Sequence, residues 1–264
     1  MIRTACIILP TYNEAGNINN VLDQIYANVR QQDRIRVLTL VVDDNSPDGT
    51  GALAQEYARK NKDVKVLHRT GKEGLGAAYI AGMTYALREF EPDVILEMDA
   101  DLSHNPQDIL RLIAAIEHGA DVVIGSRYID GGSIPAHWGF YRRLNSACAN
   151  ALVRGVLSLR QVKDCTGGFR AIRTSYLEQI DFTQLKTKGY AFQISLLSAL
   201  NGLGVQIKEI PIHFADREIG VSKMRFKDQI DFIITTFRIR TLPAALPSRS
   251  VSTTTAAARR VKKV

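Results

Sequence analysis

Short, mostly apolar runs that recur between helix-patterned segments constrain this chain more than any other feature. Residues 5–9, 38–42, 64–68, 94–98 and 122–125 have the length and apolar content of buried strands. After the first of them, Ile18, Val21, Leu22, Ile25 and Val29 follow helical spacing. Residues 51–60, 75–90 and 107–118 read as further helices between the later strands. Strict strand–helix alternation implies an α/β fold with a mostly parallel sheet and helices on both faces. Ligands of such sheets gather at the carboxyl ends of the strands. The second half is less regular. Residues 140–157 and 192–203 read as helices, 168–172 as a short strand and 206–214 as an alternating strand. An amphipathic segment rich in Phe and Ile follows at 226–242, and the basic, low-complexity stretch 247–264 is expected to be disordered.

A chain of 264 residues, 45% of them hydrophobic, can bury the core of one large α/β domain. Its formal charge of +7 favours anionic partners: phosphates, nucleotides, acidic lipid or nucleic acid. The basic residues are scattered through the α/β pattern without a nucleic-acid motif, so a nucleic-acid partner is not expected. Cys6, Cys148 and Cys165 form no CxxC pair, which suits a reducing compartment without a disulfide framework. The N-terminus turns directly into strand-like sequence, so no signal peptide is expected. The longest mostly apolar stretch, 191–205, carries Gln193 and Asn201 and falls short of the roughly 20 apolar residues of a spanning helix.

Three of the strand exits are acidic. The fourth strand ends in Asp99-Ala100-Asp101, where two carboxylates one residue apart can both reach a hard cation. Mg²⁺ or Mn²⁺ takes one or two carboxylates and completes its shell with water and substrate phosphates. An isolated DxD is more often a turn or helix cap, but this one follows a buried strand and precedes Asn105-Pro106, which opens the next helix. Asp43-Asp44 ends the second strand in VVDDNSPDGT, a turn sequence that can present a carboxylate to a base or ribose. At the first exit, LPTYNE offers Tyr12 for stacking and Glu14 for a base or hydroxyl contact, although Glu14 also suits the first turn of a helix. Carboxylates crowded on one sheet edge need an offsetting charge, which a divalent cation supplies. His104, beside the DxD, is equally suited to reach a diphosphate or to cap the following helix.

PTYNE, VVDDNSPDGT, GLGAAY at 74–79, DADLSH, GSRY at 125–128, DCTGGFRA at 164–171, GYAFQ and FADREIGVSK occur in that order. As a set they resemble the family 2 glycosyltransferases, and within them the polyprenyl-phosphate (dolichyl-phosphate) mannosyltransferases, over roughly residues 3–225. GLGAAY alone would be weak, matching neither the dinucleotide nor the Walker pattern. The resemblance implies a GT-A-like nucleotide-diphospho-sugar transferase fold, with GDP-mannose as donor and a polyprenyl phosphate as acceptor. It assigns the nucleotide sugar to Pro10, Tyr12, Glu14, Val42, Asp43, Asp44, Gly76, Ala100 and Ser103, and the metal, Mg²⁺ or Mn²⁺, to Asp99 and Asp101. Arg127 matches an arginine close to the phosphates, with a catalytic role beside Asp99 and Asp101. Arg142 and Ser146, four apart and so on one helix face, match positions lining the acceptor phosphate, as do Lys188, Arg217 and Lys223. Arg143 could take the place of Arg142. Guanidinium forks suit phosphate because they bind it in a bidentate way.

A lipid acceptor also requires access to a membrane. Met224, Phe226, Ile230, Ile233, Ile234 and Phe237 cluster at helical spacing with Lys227, Arg238 and Arg240 nearby, a pattern that fits either an interfacial helix or a helix packed on the core. The expected organisation is a catalytic domain at 1–223, an amphipathic interfacial region at 224–246 and a basic tail at 247–264. The expected location is peripheral, on the cytoplasmic face of a membrane, with room for a separate membrane-anchoring subunit. Rival expectations are UDP-glucose as donor, or a soluble acceptor.

Overall fold

The computed structural model describes residues 1–185, 191–215 and 226–241. Its elements are β1 (Thr4–Thr11), α1 (Ile18–Val29), β2 (Arg36–Asp43), α2 (Thr50–Lys60), β3 (Val64–His68), α3 (Leu75–Glu89), β4 (Val94–Glu97) and α4 (Ile109–Glu117). They continue with β5 (Val122–Ser126), α5 (Phe140–Val156), β6 (Arg170–Arg173), α6 (Thr174–Leu177), α7 (Ala191–Gly202), β7 (Ile207–Pro211) and α8 (Phe226–Thr241). The strands form one sheet in the order β3-β2-β1-β4-β6-β5-β7. Neighbours pair in parallel, except that β6 runs antiparallel to both β4 and β5.

Burial on two faces explains why the first strands are so uniformly apolar. Along β1, Ile7 and Leu9 join a core with Leu22 and Ile25 of α1 and Ile113 of α4. The alternate residues, Cys6 and Ile8, face a second core with Tyr79 and Met83 of α3 and Phe192 of α7. The period of two along a strand sends neighbouring residues to opposite layers, so none can be polar without cost. From β1 the chain moves outward through β2 to β3, then returns to place β4 on the other side of β1. That reversal opens a crevice beyond the carboxyl ends of β1 and β4, where open α/β sheets bind ligands.

Three element boundaries differ from the periodicity. A 3₁₀ turn at Pro106–Asp108 precedes α4, capped by Asn105, whose side chain accepts the Gln107 N–H at 3.0 Å. The short strand begins at Arg170, not at residue 168. The alternating run at 206–214 stops laddering at Pro211, the last partner of Ser126. Proline has no N–H to donate, and β7 is the sheet edge, where this is tolerated. The expected domain boundary at 223 and the expected basic tail at 247–264 lie outside the described residues.

The height of α3 above the sheet is set by one glycine. A Cβ at Gly82 would lie 2.6 Å from Ile8 Cγ2 and 2.9 Å from Val42 Cγ2. Both partners are fully buried and cannot move aside. Gly82→Ala would gain about 1 kcal/mol of helix propensity but overpack the core by about 1–3 kcal/mol. A net loss of up to about 2 kcal/mol is therefore expected, read from urea unfolding midpoints at constant m. A stabilised variant would contradict the close contact.

Candidate active site

The exits of β1, β2 and β4 converge on the crevice, and each turns sharply. Asn13, Asn45 and Leu102 follow them with φ of 62°, 57° and 62°. Asparagine adopts this left-handed conformation readily; a leucine there is strained, by about 1–2 kcal/mol. The strain at Leu102 lies inside the DADLSH segment, between Asp101 and Ser103, where it turns the chain back under its own carboxylates.

The first two loops are stapled together. Ser46 Oγ accepts the Asn13 N–H at 3.1 Å, Thr50 Oγ1 the Glu14 N–H at 2.9 Å, and Asp48 Oδ2 the Ala15 N–H at 3.0 Å. Asp43 is buried and accepts from the Thr11 hydroxyl at 3.0 Å and the Ser46 hydroxyl at 2.6 Å. The VVDDNSPDGT segment is thus both a turn and a rigid mount for Asp43. Pro10 and Val42, facing each other across the β1–β2 ladder, form the buried base of these exits. Asp44 is also buried and ion-paired with Arg69, which bonds Glu73 at 2.6 Å as well. Burial raises the Asp44 carboxyl, and Arg69 opposes that rise. Glu14 Oε2 accepts from the Asn17 side chain at 2.8 Å, while its carbonyl receives the first N–H groups of α1. Tyr12 carries the Lys72 ammonium 3.7 Å from its ring centroid, which brings the β3–α3 loop over the β1 exit. Gly76 is buried in the first turn of α3.

Asp99 and Asp101 stand at the β4 exit. The Asp101 carboxylate accepts the Ser103 N–H at 3.1 Å, and Ala100 between them is buried. Asp99 is restrained from two directions: its N–H donates to His104 Nδ1 at 3.1 Å, and its carboxylate accepts from the Tyr79 hydroxyl at 3.2 Å. The acceptor role of Nδ1 requires a neutral imidazole with its proton on Nε2. Burial favours that form by pulling the His104 pKa down. His104 therefore neither caps α4 nor offers Nδ1 to a ligand. Tyr79 is fully buried, its ring stacked on Phe192 at 5.6 Å, and burial together with the neighbouring carboxylates keeps its phenol protonated.

Below this pair lies a charged floor that looks like surface in the sequence. Arg170 is fully buried and donates to the Gln193 and Cys165 carbonyls, both at 2.8 Å. Its Nε faces Glu97 Oε2 at 4.0 Å. Burial raises the Glu97 carboxyl to about 7, against the attraction of Arg170.

The donor set fits a hard divalent cation. Two carboxylates of one strand exit supply oxygen ligands, and the buried Ser103 hydroxyl beside them is left without a hydrogen-bond partner. Gly168 leaves a methyl-sized space beside the carboxylate, since a Cβ there would meet Asp99 Oδ2 at 4.0 Å and His104 Cε1 at 3.7 Å.

A cationic group is linked to the Asp99 loop through Phe214 and His104. Arg127 binds Asp164 through Nε and Nη2, both at 2.8 Å, and Thr166 Oγ1 at 3.0 Å. Its guanidinium sits 5.3 Å from the ring centroids of Tyr128 and Phe214. Asp164 is itself fixed, its N–H donating to Glu209 at 2.8 Å. The Tyr128 hydroxyl donates to Ser146 Oγ at 2.6 Å, joining the Arg127 segment to α5. One turn earlier on α5, Arg142 lies 3.7 Å above the Trp138 ring, while Arg143 is engaged with the Ala136 carbonyl at 2.7 Å. Trp138, Phe214, His104 and Phe169 form a continuous row of ring contacts leading back to the Asp99 loop. The Ala215 N–H closes the row onto the Ser103 carbonyl at 3.1 Å. Arg127 and Arg142 are thus linked to the Asp99 loop through this row of rings, and Ser146 through Tyr128. Lys188, Arg217 and Lys223 lie outside the described residues.

Sequence reasoning missed Tyr79, Asp164, Phe214 and Trp138. The last residue of GLGAAY and the first of DCTGGFRA were visible signals without an assigned task.

Glycosyl transferase family 2 matches residues 6–181. Polyprenol monophosphomannose synthase of Mycolicibacterium smegmatis is 46% identical over 219 residues, 83% of this chain and 80% of that protein. Undecaprenyl-phosphate mannosyltransferase of Micrococcus luteus is 43% identical over 217 residues, 82% of this chain and 86% of that protein. Among solved structures, glucosyl-3-phosphoglycerate synthase of Mycobacterium tuberculosis, in complex with Mn²⁺, UDP and phosphoglyceric acid, superposes with a TM-score of 0.66 at 19% identity. That likeness covers 91% of this chain and 80% of the other, and it establishes a shared GT-A fold. The sheet, its acidic exits and these matches lead to one conclusion: the chain belongs to glycosyl transferase family 2, as a transferase enzyme.

Proposed function

We propose that this enzyme transfers mannose, with inversion, from GDP-mannose to the phosphate of a polyprenyl (dolichyl-type) phosphate. The observation that supports the reading is the chain of contacts that links Arg127, Tyr128, Ser146 and Arg142 through Trp138, Phe214 and His104 to the Asp99 loop. Donor diphosphate and acceptor phosphate are both anions, and a reaction between them needs fixed cations at their meeting point. The two relatives named above for polyprenol-phosphate mannose transfer support the acceptor and the sugar. GDP as carrier rests on the resemblance of the motifs.

In this reading Asp99 and Asp101 would hold Mg²⁺ or Mn²⁺, which would offset charge on the leaving diphosphate. The presence of Mn²⁺ and UDP in the complex of the M. tuberculosis neighbour supports a divalent ion. An acceptor phosphate oxygen attacks the anomeric carbon from the face opposite the diphosphate, and the nucleoside diphosphate leaves with the bonding electron pair. With a second pKa of about 6, a phosphate monoester is already largely dianionic at pH 7. The enzyme therefore needs no strong general base, only orientation and shielding by Arg127 and Arg142. Tyr12, Glu14 and Asp43 line the nucleoside end of the crevice. By the motif resemblance, Lys188, Arg217 and Lys223 are assigned to the acceptor phosphate as well.

The acceptor tail implies peripheral contact with a membrane, here proposed at the cytoplasmic face. Among the described residues no helix is long and apolar enough to cross one. One side of α8 packs on α5 and α7, while Ile233, Ile234 and Phe237 project outward. Phe140, at 73% exposure, and Tyr141, at 80%, expose further aromatic surface at the start of α5. A soluble acceptor would have no use for it. A separate anchoring subunit is compatible with the same surface.

The test incubates the purified protein with polyprenyl phosphate, Mg²⁺ or Mn²⁺, and labelled GDP-mannose, UDP-glucose or UDP-GlcNAc in parallel, and counts label in the organic extract. Metal-dependent label from GDP-mannose alone is expected. Transfer from a UDP-sugar instead would replace the donor, and lipid-free product would replace the acceptor.

A further inference from the structure

Tyr79, the last residue of GLGAAY, has no task in the chemistry above, yet it touches Asp99. We infer that Tyr79 is a positioning residue for the metal-binding carboxylate, acting through its phenolic hydroxyl on Asp99; this rests on the metal reading of Asp99 and Asp101.

Packing alone does not account for a tyrosine here. The ring fills its place between α3 and α7, stacked on Phe192 at an interplanar angle of 7°, and a phenylalanine would fill it equally. A fully buried hydroxyl is costly unless it finds a partner, and the partner it finds is Asp99 Oδ1 at 3.2 Å. A carboxylate that accepts one hydrogen bond on one oxygen loses rotational freedom about its Cβ–Cγ bond, which leaves the other oxygen aimed. Asp99 Oδ2 lies toward Gly168, where an added Cβ would stand 4.0 Å from it and 3.6 Å from Gln193 Nε2. Tyr79 is held in turn by its full burial and its stacking on Phe192, with α3 lying close on Ile8 and Val42 at Gly82. His104 holds the Asp99 main chain independently at 3.1 Å, whereas the phenol acts on the side chain. Partners outside the coordination shell that orient a ligating group typically govern affinity by about 10- to 100-fold.

The experiment titrates full-length Tyr79→Phe with Mn²⁺ in saturating GDP and follows the electron paramagnetic resonance signal of free Mn²⁺. Mn²⁺ binding about 10- to 100-fold weaker than wild type is expected, with an unchanged melting temperature without metal. Activity should recover as Mn²⁺ is raised, so that the metal requirement shifts more than the limiting kcat. Wild-type Mn²⁺ affinity in Tyr79→Phe overturns the inference, and so does a loss of activity that excess Mn²⁺ does not restore. Asp101→Asn separates the two ideas. If it abolishes Mn²⁺ binding while Tyr79→Phe binds normally, the positioning role alone is wrong. If Asp101→Asn binds Mn²⁺ like wild type, the metal reading fails and takes this inference with it.

Discussion

Asp101→Ala is expected to abolish sugar transfer, with kcat/KM reduced by about 10³-fold or more and the fold intact. The magnitude follows from several kcal/mol of charge stabilisation on the leaving diphosphate, each 1.4 kcal/mol of which is tenfold in rate. Asp101 also accepts the Ser103 N–H at 3.1 Å beside the strained Leu102, so alanine removes a turn contact as well as a charge. Asp101→Asn keeps an oxygen for that contact and removes only the charge. The two variants should therefore be equally inactive, whereas only alanine should loosen the loop, as seen by hydrogen exchange at 101–104. Near-normal turnover in either would remove Asp101 from the chemistry.

Asp164→Ala is expected to cost about 3–5 kcal/mol of stability, because it strands the Arg127 guanidinium in a nearly closed site. For a chain of this size that corresponds to a fall of about 6–20 °C in melting temperature. Turnover should fall too, since Arg127 loses both of its 2.8 Å contacts to that carboxylate and with them its orientation. The acid limb carries a second signature. Burial alone would raise the Asp164 carboxyl, but the hydrogen bonds and charge of Arg127 outweigh it and hold the group below the usual carboxylate range. A carboxyl depressed in the folded state stabilises fully above its unfolded pKa of about 3.9, and the contribution disappears as pH falls through the folded value. The stability gap between wild type and Asp164→Asn should thus stay level from about pH 5 upward and close only in stronger acid. A gap that closes near neutrality would mean that some other group carries it.

Patterns that depend on near neighbours were legible in the chain. The third strand is bounded by the residues the run suggested, Val64–His68, and α1 spans the residues of its apolar stripe. The acidic exits were visible for the same reason: in a parallel sheet the end of every buried run is an address. What depends on distant partners was not visible. Nothing local to Arg170 distinguishes it from a solvent-facing arginine; its burial follows from β6 slipping between β4 and β5. Asp164 and Arg127 are adjacent only because two loops meet, and Tyr79 reads as one more apolar position on α3. Asp43 and Asp44 looked alike on paper, yet one is mounted by Thr11 and Ser46 and the other is bound to Arg69.

The antiparallel strand β6 also has a consequence for how the chain is made. Val94–Glu97 must wait for Arg170–Arg173 before that edge of the sheet is paired. At ribosomal speeds of about 5–20 residues per second, the delay is about 4–15 s. During that interval β4 presents an apolar edge open to any other extended chain, and β5 emerges beside it with the same need. Nascent chains stalled between these strands should be the most aggregation-prone intermediates in the biosynthesis of the enzyme, and a cut just ahead of Arg170 should yield insoluble protein rather than a smaller working domain.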